Sequence, residues 1–145
     1  MNKTVKGLNI NYICEGEGDL VLLLHGWGSN IKLFEATINV LKTKYKVLAM
    51  DMPGFGESEE PKEPWDVDDY VDFVLEFLKD YEFDKITLLG HSFGGRVIIK
   101  LCSRDLPFEV EKTILVDAAG VKPKKSLKQK IKEKIYKLTK WIFSL

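Results

Sequence analysis

The stretch Ile86-Thr-Leu-Leu-Gly-His-Ser-Phe-Gly-Gly-Arg-Val-Ile-Ile-Lys-Leu-Cys102 decides how this sequence folds. Its first four residues are a short apolar run of strand length, and from Val97 the chain continues as a helical run. Between them lie three glycines around His91-Ser92-Phe93. A chain that passes directly from a strand into a helix leaves no room for side chains on either flank of the turn. The Gly-x-Ser-x-Gly spacing meets that need: Gly90 and Gly94 stand two residues before and after Ser92, and Gly95 lets the helix pack closely. Such a turn is strained and lifts the serine hydroxyl above the sheet edge, which makes Ser92 the candidate nucleophile. The competing reading is a glycine-rich turn whose serine merely caps the helix.

Working outward, strand and helix signals alternate on both sides. Thr4–Lys6 and Asn9–Ile13, separated around Gly7, read as a β-hairpin. Leu20–Leu24 is a continuous apolar run, as expected of a strand covered on both faces. Ile31, Phe34, Ile38 and Leu41 recur at spacings of three and four, giving one helical face. Tyr45–Met50 is the next strand, closed by Pro53-Gly54. Asp66 is positioned to cap a helix whose buried stripe reads Val67, Tyr70, Val71, Val74, Leu75 and Leu78. Lys112–Val116 is the last strand. This order predicts an α/β fold: a mainly parallel twisted sheet with an N-terminal β-hairpin and helices on both faces, ending at about the sixth strand.

Two further motifs stand in register with the serine turn. His25-Gly-Trp-Gly28 directly follows the third strand, and Asp51-Met-Pro-Gly-Phe-Gly-Glu-Ser58 follows the fourth. Together with Gly90-His-Ser-Phe-Gly-Gly95 they resemble the α/β-hydrolase superfamily, in its serine hydrolase branch, over essentially the whole chain to about Gly120. The resemblance implies that Ser92 attacks a carboxylic ester or related acyl compound and forms an acyl-enzyme. The backbone N–H groups of Phe93 and Trp27 would then hold the oxyanion. It further implies that the 51–58 segment shapes the site, with Phe55 lining the substrate pocket beside His25 and His91. His25 is also expected to brace the oxyanion loop. A serine at the elbow argues against the haloalkane dehalogenase and epoxide hydrolase branches, which use aspartate there.

The resemblance also shows what this sequence lacks. Its histidines are His25 and His91, and none follows Ser92, where the family order of nucleophile, acid and histidine would place the base. Asp117, at the end of the sixth strand, is a candidate acid. The chain is therefore expected to be the N-terminal part of a hydrolase core (1–120), joined to the start of a helical cap (121–145). The second hypothesis, from another class, is a non-catalytic binding protein on the same scaffold. The sixth strand is expected to be an exposed edge, through which the chain would self-associate.

Composition adds limits. The 145 residues suit one domain, and 45% apolar with 30% charged residues is the profile of a soluble globular protein. Zero formal net charge points to no nucleic-acid partner, but the charge is split: residues from Lys122 onward carry nine lysines and one glutamate, leaving the body at −8. In that segment Leu127, Ile131, Ile135, Leu138, Ile142 and Leu145 share a helical face, read as a cap helix, with a membrane-surface role as the sharper alternative. Cys14 and Cys102 are far apart and expected to be reduced. No ligand cluster or phosphate-binding loop implies a metal or organic cofactor. Without a secretion signal or spanning segment, the cytoplasm is the default expectation.

Overall fold

The computed structural model describes residues 1–120, so the cap-helix and membrane-surface readings of 121–145 lie outside the described residues. The elements are β1 (Asn2–Val5), β2 (Leu8–Glu15), β3 (Leu20–Leu24), a 3-10 turn at Ile31–Phe34 running into α1 (Glu35–Leu41), β4 (Lys46–Met50), α2 (Val67–Leu78), β5 (Lys85–His91), α3 (Phe93–Leu101) and β6 (Glu109–Val116). The six strands form one mixed sheet in the order β1-β2-β4-β3-β5-β6. The β1–β2 and β2–β4 pairs are antiparallel, and the β3–β4, β3–β5 and β5–β6 pairs are parallel. The α/β class, the N-terminal hairpin and the parallel centre are as the sequence predicts.

Strand β3 lies between β4 and β5, and its five residues are all buried. Because side chains alternate along a strand, it feeds two cores. Leu20, Leu22 and Leu24 pack with α2 and α3 residues such as Phe73, Phe77, Val97 and Ile98. Val21 and Leu23 pack on the other face with Phe34 and Ile38. This two-sided burial is why the run carries no polar residue.

Helix α2 begins where predicted. The Asp66 carboxylate accepts the N–H groups of Asp68 (2.7 Å) and Asp69 (3.1 Å), and the Asp69 carboxylate accepts the Asp66 N–H at 2.8 Å. This reciprocal box satisfies N–H groups that the helix itself cannot. The buried face is wider than the predicted stripe, since Phe73 and Phe77 are wholly buried while Leu75 is only partly so. The reason is tertiary: α2 packs on α3 and also reaches β2, where Phe77 meets Tyr12 edge to face at 5.5 Å. The helical face expected from Ile31 to Leu41 is also divided, its first turn being the 3-10 segment capped by Asn30.

Strand β6 ends the sheet order, and Ile114, Leu115 and Val116 are exposed. The predicted edge strand is thus observed among the described residues. Among these residues no helix is long and apolar enough to cross a membrane.

Candidate active site

The turn from β5 into α3 puts Ser92 in a conformation that side-chain-bearing residues rarely adopt, with φ 49° and ψ −111°. Holding such a residue costs on the order of 1–3 kcal/mol, so its surroundings must over-determine it. They do: the Ser92 N–H donates to the Val116 carbonyl (3.0 Å), while the Ser92 carbonyl accepts from Ala119 N–H (2.9 Å) and Arg96 N–H (3.2 Å). A Cβ on Gly90 would lie 2.6 Å from the Gly95 nitrogen, and one on Gly95 would lie 2.5 Å from the Ala118 Cβ. The glycine spacing is thus a packing requirement at the strand–helix junction. Although Ser92 occupies the N-cap position of α3, its hydroxyl makes no capping hydrogen bond. The capping alternative does not describe this side chain.

The loop after β3 meets this turn. A Cβ on Gly26 would lie 3.2 Å from Ser92 Cβ and 2.9 Å from His91 Nδ1, so only a glycine lets the two loops approach so closely. Trp27 is 67% exposed, with its ring edge-on to Phe55 (4.9 Å between centroids) and Phe93 (5.2 Å). Phe93 in turn meets Tyr70 at 5.2 Å. Among the described residues neither the Trp27 N–H nor the Phe93 N–H finds a protein acceptor. Ser92, Phe93, Trp27, Phe55 and the half-buried His91 are thus gathered at one end of the parallel strands. The His91 Nδ1 is buried and unpartnered among the described residues.

His25 requires a correction. It lies behind the loop, 0% exposed, and does not line an open pocket wall. Its Nε2 accepts the Met52 N–H at 2.9 Å, which leaves the ring proton on Nδ1, 2.8 Å from the Gly26 carbonyl. With both nitrogens engaged, His25 braces the loop and cannot take a proton from Ser92. Burial is the main cause holding its pKa below the usual 6.5, partly opposed by the Gly26 hydrogen bond and the Asp51 charge. The unfolded chain therefore binds this proton more readily than the folded one. The resulting contribution is full above about pH 6.5 and is lost as pH falls below it toward the depressed folded value. The urea midpoint is expected to drop between pH 7 and 5, with a shallower slope in His25→Asn. Equal slopes in the two proteins would show that His25 carries no such linkage.

In the sequence Asp51 only begins the shaping segment, and no local pattern marks its part in the structure. Only 2% exposed, its carboxylate accepts from Ile31 N–H (2.7 Å), Asn11 Nδ2 (2.9 Å) and Glu57 N–H (2.9 Å). The Ser58 hydroxyl donates to the Asp51 carbonyl at 2.6 Å and accepts the Asn11 N–H at 2.9 Å. The only local signal was a carboxylate placed directly at a strand end. Asp117 follows β6 in a left-handed conformation (φ 47°) and is exposed, between residues that bond the Ser92 backbone. A cavity of about 590 Å³ lined by Leu75, Tyr81, Phe83 and Phe108 shares no residue with this site. Among the described residues no cluster of His, Cys, Asp or Glu could hold a metal ion.

A sheet in the order β1-β2-β4-β3-β5-β6, with a strained serine between β5 and α3, defines the class as an α/β hydrolase. Residues 19–141 match the profile of the alpha/beta hydrolase fold, and the chain belongs to that family. A soluble epoxide hydrolase of Corynebacterium sp. (strain C12) is 30% identical over 115 residues, covering 78% of this chain and 39% of its own length. The structure of a meta-cleavage product hydrolase (CumD) superimposes with a TM-score of 0.77 at 32% identity, covering 83% of this chain and 46% of that one. An esterase (EaEST) from Exiguobacterium antarcticum gives 0.74 at 32% identity, covering 80% and 44%. The chain spans less than half the length of the curated relatives it matches. Its relatives thus include both epoxide hydrolases and esterases.

Proposed function

We propose that this chain carries the nucleophile half of a serine hydrolase acting on small carboxylic esters or related acyl compounds. The observation that carries the reading is the Ser92 hydroxyl, left uncapped in a strained turn beside two backbone N–H groups that have no protein acceptor among the described residues. Ser92 Oγ attacks the acyl carbon, and the N–H groups of Phe93 and Trp27 stabilise the oxyanion of the tetrahedral intermediate. Collapse of that intermediate expels the alcohol and leaves an acyl-enzyme, which water then hydrolyses. A hydroxyl at the elbow, where a carboxylate would serve epoxide opening, supports the ester reading over that of the epoxide hydrolase relative. The exposed Trp27 ring flanked by Phe55 and Phe93 favours an apolar acyl group.

On this reading neither histidine serves as the base, since the Nε2 of His25 is occupied and His91 adjoins the nucleophile in the chain. Imidazole in the buffer can stand in for it. Incubation with a fluorophosphonate in imidazole should place one phosphonyl group on Ser92, located by peptide mass, and none in Ser92→Ala. Label spread over other residues at equal rates in both proteins would remove Ser92 as the nucleophile. That outcome would favour the second reading, a non-catalytic binding protein on the hydrolase scaffold.

A further inference from the structure

We propose that the cavity at the end of the sheet remote from Ser92 is a second binding site, and that it takes a small aromatic carboxylate. Its walls come from the C-terminal half of α2 (Leu75, Leu78), the chain leading from α2 into β5 (Tyr81, Phe83) and the turn leading into β6 (Phe108). Phe83 and Phe108 stand just before the first residues of the parallel strands β5 and β6, whereas Ser92 follows the last residue of β5. The two sites therefore lie at opposite ends of the same strands, and the proposal stands independently of the chemistry assigned to Ser92.

The volume of about 590 Å³ falls within the roughly 300–1,000 Å³ usual for small-molecule sites. Leu75, Tyr81, Phe83 and Phe108 are each only partly buried: one side packs on the core and another lines the cavity. The rings of Phe83 and Phe108 meet with centroids 5.1 Å apart and planes tilted by 57°. Ring faces and edges set in this way hold an aromatic body by burial and by offset or edge-on contact. The wall is also fixed before a ligand arrives. The Tyr81 N–H donates to the Leu78 carbonyl at 3.0 Å, which closes the end of α2. Lys3, which does not line the cavity, donates to the Phe77 carbonyl at 2.9 Å. Its ammonium stands 3.7 Å from the centre of the Phe77 ring and 4.5 Å from that of Tyr81, a cation–π clamp on the same segment.

Charge selects the other half of the ligand. Among the charged residues bordering the cavity, Asp72 pairs with Arg104, and Glu76 pairs with Lys79 at 2.7 Å. Lys6 is exposed at the β1–β2 turn, with φ 49°, and has no ion-pair partner among the described residues. An uncompensated ammonium at the rim of an apolar wall suits a molecule with one negative charge on an apolar body. The body is buried against the rings while the carboxylate meets Lys6 and keeps its contact with water. An organic cation would find both bordering carboxylates already paired.

Naphthoate and its uncharged analogue naphthylmethanol, titrated into the whole chain and followed by nitrogen–proton correlation NMR, test the proposal. Naphthoate is expected to shift the amides of Leu75, Tyr81, Phe83 and Phe108 and to saturate with a dissociation constant of about 1 mM or tighter, given the usual efficiency per ligand atom. Naphthylmethanol should move the same amides but bind about three- to fivefold more weakly, the usual worth of one exposed ion pair. Lys6→Gln should lower naphthoate to the affinity of the alcohol and leave the alcohol unchanged. Leu75→Trp, which fills the cavity, should weaken both ligands by at least about tenfold, because the space is then closely packed. The urea midpoint checks that each variant is folded, and Lys6→Gln, an exposed change, decides the matter even where Leu75→Trp is destabilised. Shifts confined to Trp27, Phe55 and Phe93 would put naphthoate at the Ser92 site instead and overturn the proposal. So would native protein whose cavity amides do not move, or naphthoate binding that Lys6→Gln leaves as tight as before.

Discussion

Asp51→Ala is expected to destabilise this chain by about 4 kcal/mol, a large part of the 5–15 kcal/mol typical of a domain. The carboxylate is buried, and among the described residues no cation lies within ion-pair distance of it. Its charge is met by three neutral N–H donors that come from β2, the 3-10 turn and the shaping loop. Truncation to alanine leaves those donors facing an apolar methyl group and a small void. A buried donor without a partner costs roughly 1–3 kcal/mol, and bonds to a charged acceptor lie at the strong end of that range. Asp51→Asn should cost about half as much, because its oxygen can still accept from Ile31 while its amide opposes Glu57 N–H donor to donor. Urea denaturation followed by circular dichroism measures both. A loss below about 1 kcal/mol in the alanine variant would show that solvent replaces the carboxylate without penalty. Because Met52 follows directly and donates to His25, the alanine variant should also slow labelling of Ser92.

Gly94→Ala should act at the other side of the site and reverse the usual sign of the exchange. In an exposed helix, replacing glycine by alanine gains about 1 kcal/mol through reduced backbone freedom. Here the new Cβ would stand 2.5 Å from the Leu24 carbonyl carbon and 2.7 Å from the His25 carbonyl oxygen. These are backbone atoms at the end of β3, held by parallel neighbours on both sides, and they cannot swing aside. Helix α3 must therefore lift from the sheet and take the Ser92 turn with it. Overpacking of this kind costs about 1–3 kcal/mol and sometimes more, so a net loss of at least about 2 kcal/mol is expected despite the propensity gain. Labelling of Ser92 should fall at the same time. A variant of native or greater stability would mean that α3 does not lie against β3 as closely as the structure has it.

These two positions differ in how far the sequence revealed them. The need for glycine at 94 was legible, because the strand and helix signals abut and leave no residues for a loop. The atoms that a side chain would strike were not legible, since they belong to β3, seventy residues earlier. At Asp51 even the need was hidden: Asn11, Ile31 and Glu57 are separated in the chain and share no periodicity. The α2 stripe shows the same limit. Its cap and its limits were readable from Asp66 and the 3.6-residue period, yet Phe73 and Phe77 are buried by α3 and by Tyr12 on β2, neighbours that no local pattern encodes.

The sequence by itself determined the element order, the two-sided burial of Leu20–Leu24 and the sharp turn at Ser92, because each follows from spacing within a few residues. The placing of β4 between β2 and β3, the tautomer of His25 and the three-donor setting of Asp51 were decided only by the tertiary structure. Each of these depends on hydrogen bonds between residues remote in the chain. Such bonds become available only after the strands have chosen their neighbours, and that choice reflects the packing of the whole sheet.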